Sequence, residues 1–347
     1  MSKHYRTSSC RSGHVNSISR HFYKHGLFRH ARMKRVVSSI LVLLALSFVP
    51  FAFAQLPGAV ESKPTAFTTA GKEADGIAGL SDGKVSAKAR LFILAVGINE
   101  YKNPRYTLKY GRPDAEAFVQ AVESHGVKVF GRILKQTLYD TQATRGAIEA
   151  AFQRIISKAL PDDVFVFYYA GHGVMSKGGG AKKPEFYLAP TDVTKLYGDD
   201  EMLAERGISA RMLKDLSARV KAQKQLIVLD SCNSGGALEA FEIPATQEGK
   251  GCDRNARETG ITVLAAAGAA QPATEFRELG HGVFTYALLK GLSGEADDGT
   301  SPDGKITVKK LVSYINTKVP ELIKQYRGKA QNPNSFARGK DFQLGIR

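Results

Sequence analysis

The chain has 347 residues and a formal net charge of +16 at pH 7, from 49 Lys and Arg against 33 Asp and Glu. Nine basic and no acidic residues lie in 1–54, so the rest of the chain holds 40 basic and 33 acidic residues, a net charge of +7. A balance this even, without a basic helical stripe carrying interleaved aromatic residues, argues against a nucleic-acid-binding function.

Residues 1–54 have the pattern of an N-terminal extension followed by a signal peptide. The basic start Met33–Arg35 precedes a largely apolar run over 36–53, which ends in the small-residue pattern Ala52–Ala54. This order is typical of secretory signals. We therefore expect cleavage after Ala54 and a secreted or periplasmic protein. The alternative is that the run, which is about long enough to span a bilayer, is retained as a single membrane helix.

The remainder of the chain is long enough for one large α/β domain. Residues 55–89 are rich in Ala, Gly, Lys and Thr without periodicity, and we interpret them as a linker or pro-segment. An ordered domain is expected over 90–347, with a long, polar, exposed loop at 237–259.

From Arg90 onward, apolar runs of strand length alternate with amphipathic segments. The runs that predict strands cover 91–98, 132–138, 164–170, 186–188, 225–229 and 260–266. The segments that predict helices cover 113–124, 141–159, 209–220, 283–292 and 308–326, the last interrupted at Pro320. The glycine- and lysine-rich residues 176–183 predict a mobile loop. This alternation predicts an α/β fold with a mostly parallel central sheet that is covered on both faces.

Two of the predicted strands end in turns that carry a reactive side chain. The run 164–170 is followed by Gly171, His172 and Gly173, and the run 225–229 leads into Asp-Ser-Cys with Cys232 as its third residue. Because the carboxyl ends of parallel strands form the ligand-binding edge of a sheet, His172 and Cys232 are expected to meet there. An imidazole can take the proton of a neighbouring thiol and so create a nucleophilic thiolate. The polar and glycine neighbours of Cys232 argue against a buried structural cysteine.

Two other histidines lie outside the leader, and neither directly follows a buried strand. His125 ends a predicted helix and is expected to be solvated, whereas His281 follows a polar loop. We therefore expect His172 to be the active imidazole. Gly173 leaves room for a substrate carbonyl to approach, and its N–H is expected to form an oxyanion hole with that of Cys232.

The motifs around these residues resemble the caspase/metacaspase family of peptidases, and in particular its bacterial caspase-like members. The resemblance rests on Tyr-Ala-Gly-His-Gly at 169–173 and Asp-Ser-Cys-Asn-Ser-Gly at 230–235, with further matches at 95–101, 112–115, 186–192 and 280–286. It implies a three-layer α/β/α sandwich, with a large-subunit part up to about 236 and a small-subunit part over 260–347. It also implies a cysteine endopeptidase in which His172 is the general base and acid and Cys232 is the nucleophile.

The same resemblance implies cleavage after Lys or Arg. Asp230 stands two residues before Cys232, where metacaspases also have Asp, and Asp114 falls where their pattern places a second pocket acid. Two carboxylates would select a cationic side chain by charge pairing. The alternatives are that Asp114 is only a residue of a helix N-terminus and that Asp230 is only a hydrogen-bonding loop residue.

No cofactor is expected to be required. Calcium is possible, because many metacaspases bind it through acidic residues after the His strand, where this chain has Asp199 and Asp200. The acidic segment 297–304 lacks the glutamate that would complete a calcium loop, and we interpret it as a turn. The loop at 237–259 lies where the family is often cut, which gives three candidate residues for self-processing: Lys250, Arg254 and Arg257.

The expected partners are polypeptide substrates with Lys or Arg at the cleaved position. We expect no nucleic-acid partner, a monomeric protein, and membrane attachment only if the apolar run is retained. Pairing of Cys232 with Cys252 is left open, because sequence does not give their separation. The alternative function is a catalytically silent caspase-fold module for interaction or regulation, against which the presence of both His172 and Cys232 argues.

Overall fold

The computed structural model describes residues 85–178, 183–242, 260–297, 302–326 and 328–347. All of them belong to one unit, Gly71–Arg347. The predicted leader, most of the linker and part of the predicted mobile loop lie outside these ranges, so their boundaries stay predictions. Four side chains named above also lie outside them: Lys250, Cys252, Arg254 and Arg257.

Thirteen strands and seven α-helices alternate along these ranges. The strands are β1 (Arg90–Gly97), β2 (Arg132–Tyr139), β3 (Val164–Ala170), β4 (Gly173–Met175), β5 (Phe186–Leu188), β6 (Ile208–Ser209), β7 (Lys224–Asp230), β8 (Gly260–Ala265), β9 (Glu275–Phe276), β10 (His281–Gly282), β11 (Lys305–Thr307), β12 (Asn334–Arg338) and β13 (Gln343–Ile346). The helices are α1 (Gly111–Gly126), α2 (Arg145–Lys158), α3 (Asp200–Arg206), α4 (Ala210–Arg219), α5 (Leu238–Glu242), α6 (Val283–Leu292) and α7 (Val308–Gln325).

A six-stranded sheet lies at the centre, in the order β12-β8-β7-β3-β1-β2. All neighbouring pairs are parallel except β12 with β8, which is antiparallel and forms one edge. The central strand β3 is buried along its whole length, as expected for a parallel strand covered on both faces. The predicted α/β fold with a mostly parallel central sheet is confirmed.

Helices cover both faces of this sheet and form two apolar cores. Successive side chains of one strand point to opposite faces, so Ile93 enters the first core and Leu94 the second. The first core packs α1, α6 and α7 on the sheet, with Phe118 and Phe284 fully buried. The second packs α2, α4 and α5, around Phe152. The result is the predicted three-layer arrangement.

Two helices differ from their predictions by more than two residues at an end or in continuity. Helix α2 begins at Arg145 rather than at 141, because the Thr144 hydroxyl accepts the N–H of Ala147 at 3.2 Å and caps it. Helix α7 is not interrupted at Pro320, although an interior proline costs about 3 kcal/mol. Its buried apolar stripe on both sides of the proline, including Val319, holds the helix together against the sheet.

Further differences concern segments expected to be loops or solvated. Leu238–Glu242 is a short helix rather than part of an exposed loop, because Leu238 and Phe241 are buried. His125 is half-buried, and its Nδ1 lies 3.1 Å from the carbonyl oxygen of Ile346, so it binds the C-terminal strand. Of the helices within the described ranges, none combines the length and the hydropathy needed to cross a bilayer.

The acidic segment at 297–304 is partly described and is bound to a lysine. The carboxylates of Asp297 and Asp303 both accept hydrogen bonds from the ammonium group of Lys310. Asp297 also accepts the backbone N–H of Gly304 at 2.7 Å. Since a lysine of the chain itself neutralises these carboxylates, the contacts agree with the interpretation of this segment as a turn.

Candidate active site

His172 and Cys232 each lie two residues beyond the last paired residue of their strand. Ala170 of β3 is opposite Asp230 of β7 in the parallel register, and the N–H of Gly171 donates to the carbonyl of Asp230 at 3.2 Å. A Cβ on Gly173 would lie only 2.5 Å from the carbonyl oxygen of Cys232, so the two turns are in backbone contact. The structure therefore brings the turns of both predicted catalytic residues together at the carboxyl edge of the sheet.

The backbone and two tyrosines fix the orientation of His172. Its Nε2 lies 2.8 Å from the carbonyl oxygen of Tyr106, and its backbone N–H donates to the hydroxyl of Tyr101 at 2.8 Å. The two tyrosine rings pack beside the imidazole, at centroid distances of 5.9 and 4.9 Å. Because a carbonyl can only accept, Nε2 carries the proton, and the neutral ring keeps Nδ1 unprotonated.

Burial favours the neutral forms of both the imidazole and the thiol. It lowers the pKa of His172, although the Tyr106 carbonyl opposes this shift. It raises the pKa of Cys232, although the N–H of Ala273, which donates to Sγ at 3.2 Å, opposes this one. Both shifts oppose a resting thiolate–imidazolium ion pair.

The N–H of Gly173 points away from the small sheet β4-β5-β6. The backbone N–H of Ala189 donates to the carbonyl of His172 at 2.9 Å, so these two opposite residues form a hydrogen-bonded pair of the antiparallel ladder. Bonded and non-bonded positions alternate along an antiparallel pair, so Gly173 opposite Leu188 is a non-bonded one. Its N–H is therefore not used by β5, as the predicted oxyanion hole requires.

Asp114 and Asp230 converge on the backbone of Gly282. A Cβ on Gly282 would lie 3.1 Å from Oδ2 of Asp114 and 3.4 Å from Oδ2 of Asp230. Asp114 is 2% exposed and Asp230 is 8% exposed, so neither is an ordinary surface carboxylate. The structure thus brings the two predicted pocket acids together, one from α1 and the other from the end of β7.

Each of the two carboxylates accepts hydrogen bonds from residues within 260–347. Oδ2 of Asp114 accepts the N–H of Gly282 at 3.0 Å, and Oδ1 lies 2.5 Å from Nδ1 of His281. Oδ2 of Asp230 accepts the hydroxyl of Thr285 at 2.6 Å. Both oxygens of Asp114 are therefore bound within the chain, whereas Thr285 is the one described side chain that donates to Asp230.

Burial raises the pKa of both carboxyls. For Asp230 the charge of Asp114 adds to burial and raises the pKa to about 7. The hydrogen bond to Asp114 in turn raises the pKa of His281. A positively charged ligand placed among these groups would favour the ionised forms of the carboxyls.

Sequence reasoning missed Glu275 and the contact of His281. Glu275 is opposite Gly282 in the short β9–β10 pair and keeps its side chain at the surface. Partial burial, and then the charge of Asp114, raise the pKa of Glu275. The Gly-His-Gly motif at 280–282 was a signal for His281, but the sequence around Glu275 carries none.

The predicted calcium residues serve the fold in this structure. Oδ1 of Asp199 accepts the N–H of Met202 at 3.0 Å and caps α3. The carboxylate of Asp200 accepts the N–H groups of Lys177 and Gly178, at 3.1 and 3.0 Å. Calcium takes six to eight oxygen ligands, and within the described ranges no three His, Cys, Asp or Glu residues are grouped so as to hold a metal. These two carboxylates alone do not fit a calcium site.

The fold and the site together define an α/β domain with a histidine and a cysteine at the carboxyl edge of its sheet. The family model described as the caspase domain matches residues 90–342, and the chain belongs to this family of cysteine peptidase domains. The predicted family is thereby confirmed.

One curated relative and one solved structure illustrate what the chain is similar to. Metacaspase-1 of Schizosaccharomyces pombe is 29% identical over 184 residues, which cover 50% of this chain and 40% of that protein. The chain thus spans less than half the length of this curated relative. The crystal structure of protein GSU0716 from Geobacter sulfurreducens matches with a TM-score of 0.49 and 17% identity, over 72% of this chain and 94% of that one.

Proposed function

We propose that the chain is a cysteine endopeptidase that cleaves polypeptides after Lys or Arg. The observation that carries this proposal is the convergence at one sheet edge. A histidine whose Nε2 is bound to the Tyr106 carbonyl, and a cysteine turn in backbone contact with the histidine turn, lie at the same edge as two buried carboxylates. Membership of the caspase-domain family supports peptide-bond hydrolysis as the reaction.

In the proposed acylation step, Sγ of Cys232 attacks the carbonyl carbon of the scissile bond while Nδ1 of His172 takes the thiol proton. The Tyr106 carbonyl stabilises the resulting imidazolium through Nε2–H. The N–H groups of Gly173 and Cys232 donate to the developing oxyanion. The imidazolium then protonates the leaving amine, which departs and leaves a thioester.

In the second step, water attacks the thioester with His172 as the base. The carbon–sulfur bond breaks, the thiol regains its proton from the imidazolium, and the acid product leaves. Every proton transfer therefore runs through Nδ1 of one imidazole, and no step is routed through a metal.

We assign the direct contact with the substrate cation to Asp230. Thr285 is the described side chain on its Oδ2, whereas both oxygens of Asp114 are used by His281 and Gly282. Asp114 then acts through its charge, and Glu275 adds a further carboxylate at the surface. These carboxylates attract a guanidinium or ammonium group of the substrate and repel an acidic side chain.

The proposal is tested by hydrolysis of two fluorogenic peptides that differ only in Arg or Asp before the bond. Wild type and Cys232→Ala are compared, each with calcium and with chelator. Cleavage after Arg that is lost in the variant supports both the nucleophile and the pocket. Cleavage after Asp contradicts the roles of Asp114 and Asp230. No cleavage by the folded protein favours the silent interaction module.

We further propose that the protein acts outside the cytoplasm, as a monomer and without a required cofactor. The leader pattern supports the location. Mass spectrometry of the mature N-terminus tests the release of the protein: a chain that starts at Gln55 supports it, and an intact leader favours the membrane-tethered alternative.

A further inference from the structure

Asp140 follows β2 directly and has an unusual backbone conformation. Its φ is +49°, in the left-handed region that side chains other than those of Gly, Asn and Asp rarely adopt. It is also 8% exposed, which is uncommon for an aspartate. Strained, buried positions of this kind persist where the surrounding contacts fix them, and these contacts indicate what the residue does.

Three donors converge on the carboxylate of Asp140. Oδ1 accepts the backbone N–H groups of Asn99 and Glu100, at 2.8 and 3.1 Å. Oδ2 accepts Nη1 of Arg112 at 3.1 Å. One buried carboxylate therefore joins the end of β2 to the chain that follows β1 and to the start of α1.

Residues 98–110, which we call the 98–110 segment, supply the contacts of His172. Asn99 and Glu100 come directly before Tyr101, whose hydroxyl accepts the backbone N–H of His172. Five residues later, the carbonyl of Tyr106 accepts Nε2–H of the ring. The bonds to Asp140 are thus made at the point where the segment leaves the sheet and turns toward the imidazole.

Asn99, near the first end of the 98–110 segment, is hydrogen-bonded to residues at its last end. Its side-chain amide donates to the carbonyl of Lys109 at 3.0 Å, and its backbone carbonyl accepts the N–H of Leu108 at 2.9 Å. Its Oδ1 accepts the N–H of Arg112 at 2.9 Å. Since Asp140 binds the backbone of Asn99 and the side chain of Arg112, it fixes both ends of the segment at once.

We propose that Asp140 is a positioning residue for His172. By fixing the 98–110 segment, Asp140 holds the Tyr106 carbonyl on Nε2 of the imidazole. This contact keeps Nδ1 unprotonated, so that Nδ1 can accept the proton of the Cys232 thiol. The proposal rests on the proposed roles of His172 and Cys232 and extends them. Asp140 itself is not assigned any contact with substrate.

The chain offers a matched control at the opposite end of the sheet. Asp163, directly before β3, is 3% exposed and accepts the backbone N–H groups of Arg90 and Leu160 at 2.9 and 2.8 Å. Its Oδ2 also accepts the Arg90 guanidinium at 2.6 Å. The two aspartates have the same kinds of partner, so their variants are expected to lose comparable stability.

The experiment measures alkylation of Cys232 by iodoacetamide in the full chain, followed by mass spectrometry of its peptide. This readout reports on the thiol and its base and needs no peptide substrate. In Asp140→Ala we expect the rate near pH 7 to fall about tenfold, because the imidazole is no longer held in the right tautomer. At about pH 10 hydroxide takes the thiol proton without the imidazole, although burial raises the pKa of Cys232, so the rate should return to within about twofold of wild type. Asp163→Ala should follow wild type at both pH values.

Two outcomes overturn the proposal. An Asp140→Ala profile that superimposes on wild type reduces Asp140 to a structural role, and an equal loss in Asp163→Ala makes the effect one of general stability. If Asp140→Ala does not fold, Asp140→Asn replaces it. Its amide oxygen can still accept the N–H groups of Asn99 and Glu100, whereas the ion pair with Arg112 is lost, so it should show a smaller loss of the same sign. A wild-type rate near pH 7 that is unchanged in His172→Ala contradicts the proposed catalytic pair itself, not Asp140.

Discussion

Asp163 and Asp140 are buried aspartates of similar construction at opposite ends of the central sheet. Each accepts two backbone N–H groups and one arginine side chain. At the amino end, Asp163 ties Arg90 to Leu160 and so joins the first residue of β1 to the connection before β3. At the carboxyl end, Asp140 holds the 98–110 segment, which turns toward the site.

The end of the sheet at which such an ion pair lies decides whether it affects stability alone or also the reactive site. The carboxyl ends of parallel strands face ligands, whereas their amino ends are closed by connections. Burial would raise the pKa of Asp163, but hydrogen bonds from Arg90 and Leu160 outweigh it and lower the pKa. We therefore expect the amino-end pair to affect stability alone, and the carboxyl-end pair to affect both stability and reactivity.

The largest effect at the carboxyl end should come from removing the nucleophile. Cys232→Ala should lower kcat/KM for an Arg peptide by at least about 10⁴-fold, since it removes the atom that is proposed to attack the scissile carbonyl. Thermal unfolding should change by only about 2 °C, because the side chain is small and half-buried. Comparable activity in the variant would contradict the assignment of Cys232.

Gly173→Ala should come next. Its Cβ would lie 2.5 Å from both the Cys232 carbonyl and the Ser231 hydroxyl, so one of the two turns must move. We expect kcat to fall by about 10²-fold, as for the loss of an oxyanion-hole donor. The control is Gly146→Ala, where nothing lies within 4 Å and helix α2 should gain about 1 kcal/mol. Equal kcat values for the two variants would contradict the role of Gly173.

Asp230→Asn should raise KM for the Arg peptide about tenfold or more, because it removes the charge assigned to the substrate cation. The wild-type pKa of Asp230 is raised to about 7 by burial and then by Asp114. This carboxyl loses its proton as pH rises through that value, so KM for Arg should fall from pH 6 to pH 8, about one unit to either side. The variant should lack this dependence; a KM that falls equally in both would remove Asp230 from the pocket.

Glu275→Gln should have a smaller effect than Asp230→Asn on KM for the Arg peptide. Since the Glu275 side chain lies at the surface, solvent weakens its attraction for a substrate cation, and KM should rise about two- to threefold. Raising the salt concentration should reduce this difference more than that of Asp230→Asn. A tenfold or greater change, insensitive to salt, would show that Glu275 contacts the substrate directly.

The smallest effect on activity should be that of Asp163→Ala. We expect a loss of about 3 kcal/mol in the free energy of unfolding, because the variant leaves Arg90 and two N–H groups without their acceptor. The pKa of Asp163 is lowered in the folded state, so its contribution to stability is present at neutral pH and is lost as the pH falls toward and below the ordinary range of aspartate. Unfolding in urea at neutral and acidic pH measures it. If Asp163→Ala changed kcat per folded molecule, the amino-end ion pair would affect activity as well as stability, which contradicts the expected difference between the two ends of the sheet.

The main features of the fold could be predicted because they have local signals. Strands such as Val164–Ala170 are unbroken apolar runs, and glycine turns mark where they end. The same signals predicted that His172 and Cys232 would share an edge. The convergence of Asp114 and Asp230 followed from the family resemblance, not from the pattern of residues.

What could not be predicted depends on contacts between distant residues. The β9 and β10 strands are two residues long, too short for any periodicity, yet they place His281 on Asp114 across 167 positions of sequence. The role of Asp140 depends on a left-handed backbone and on bonds to residues about forty positions earlier. Neither leaves a trace in composition or spacing.

The groups that hold the two acids belong to a different stretch of chain from the acids themselves. Asp114 and Asp230 precede residue 243, whereas His281 and Thr285 follow residue 259. Strands β7 and β8 join the two stretches in the sheet over six residue pairs. A chain severed between 243 and 259 would therefore stay together as a non-covalent heterodimer. Neither piece alone would hold a complete pocket, so co-expressed fragments would recover specificity only by reassembling.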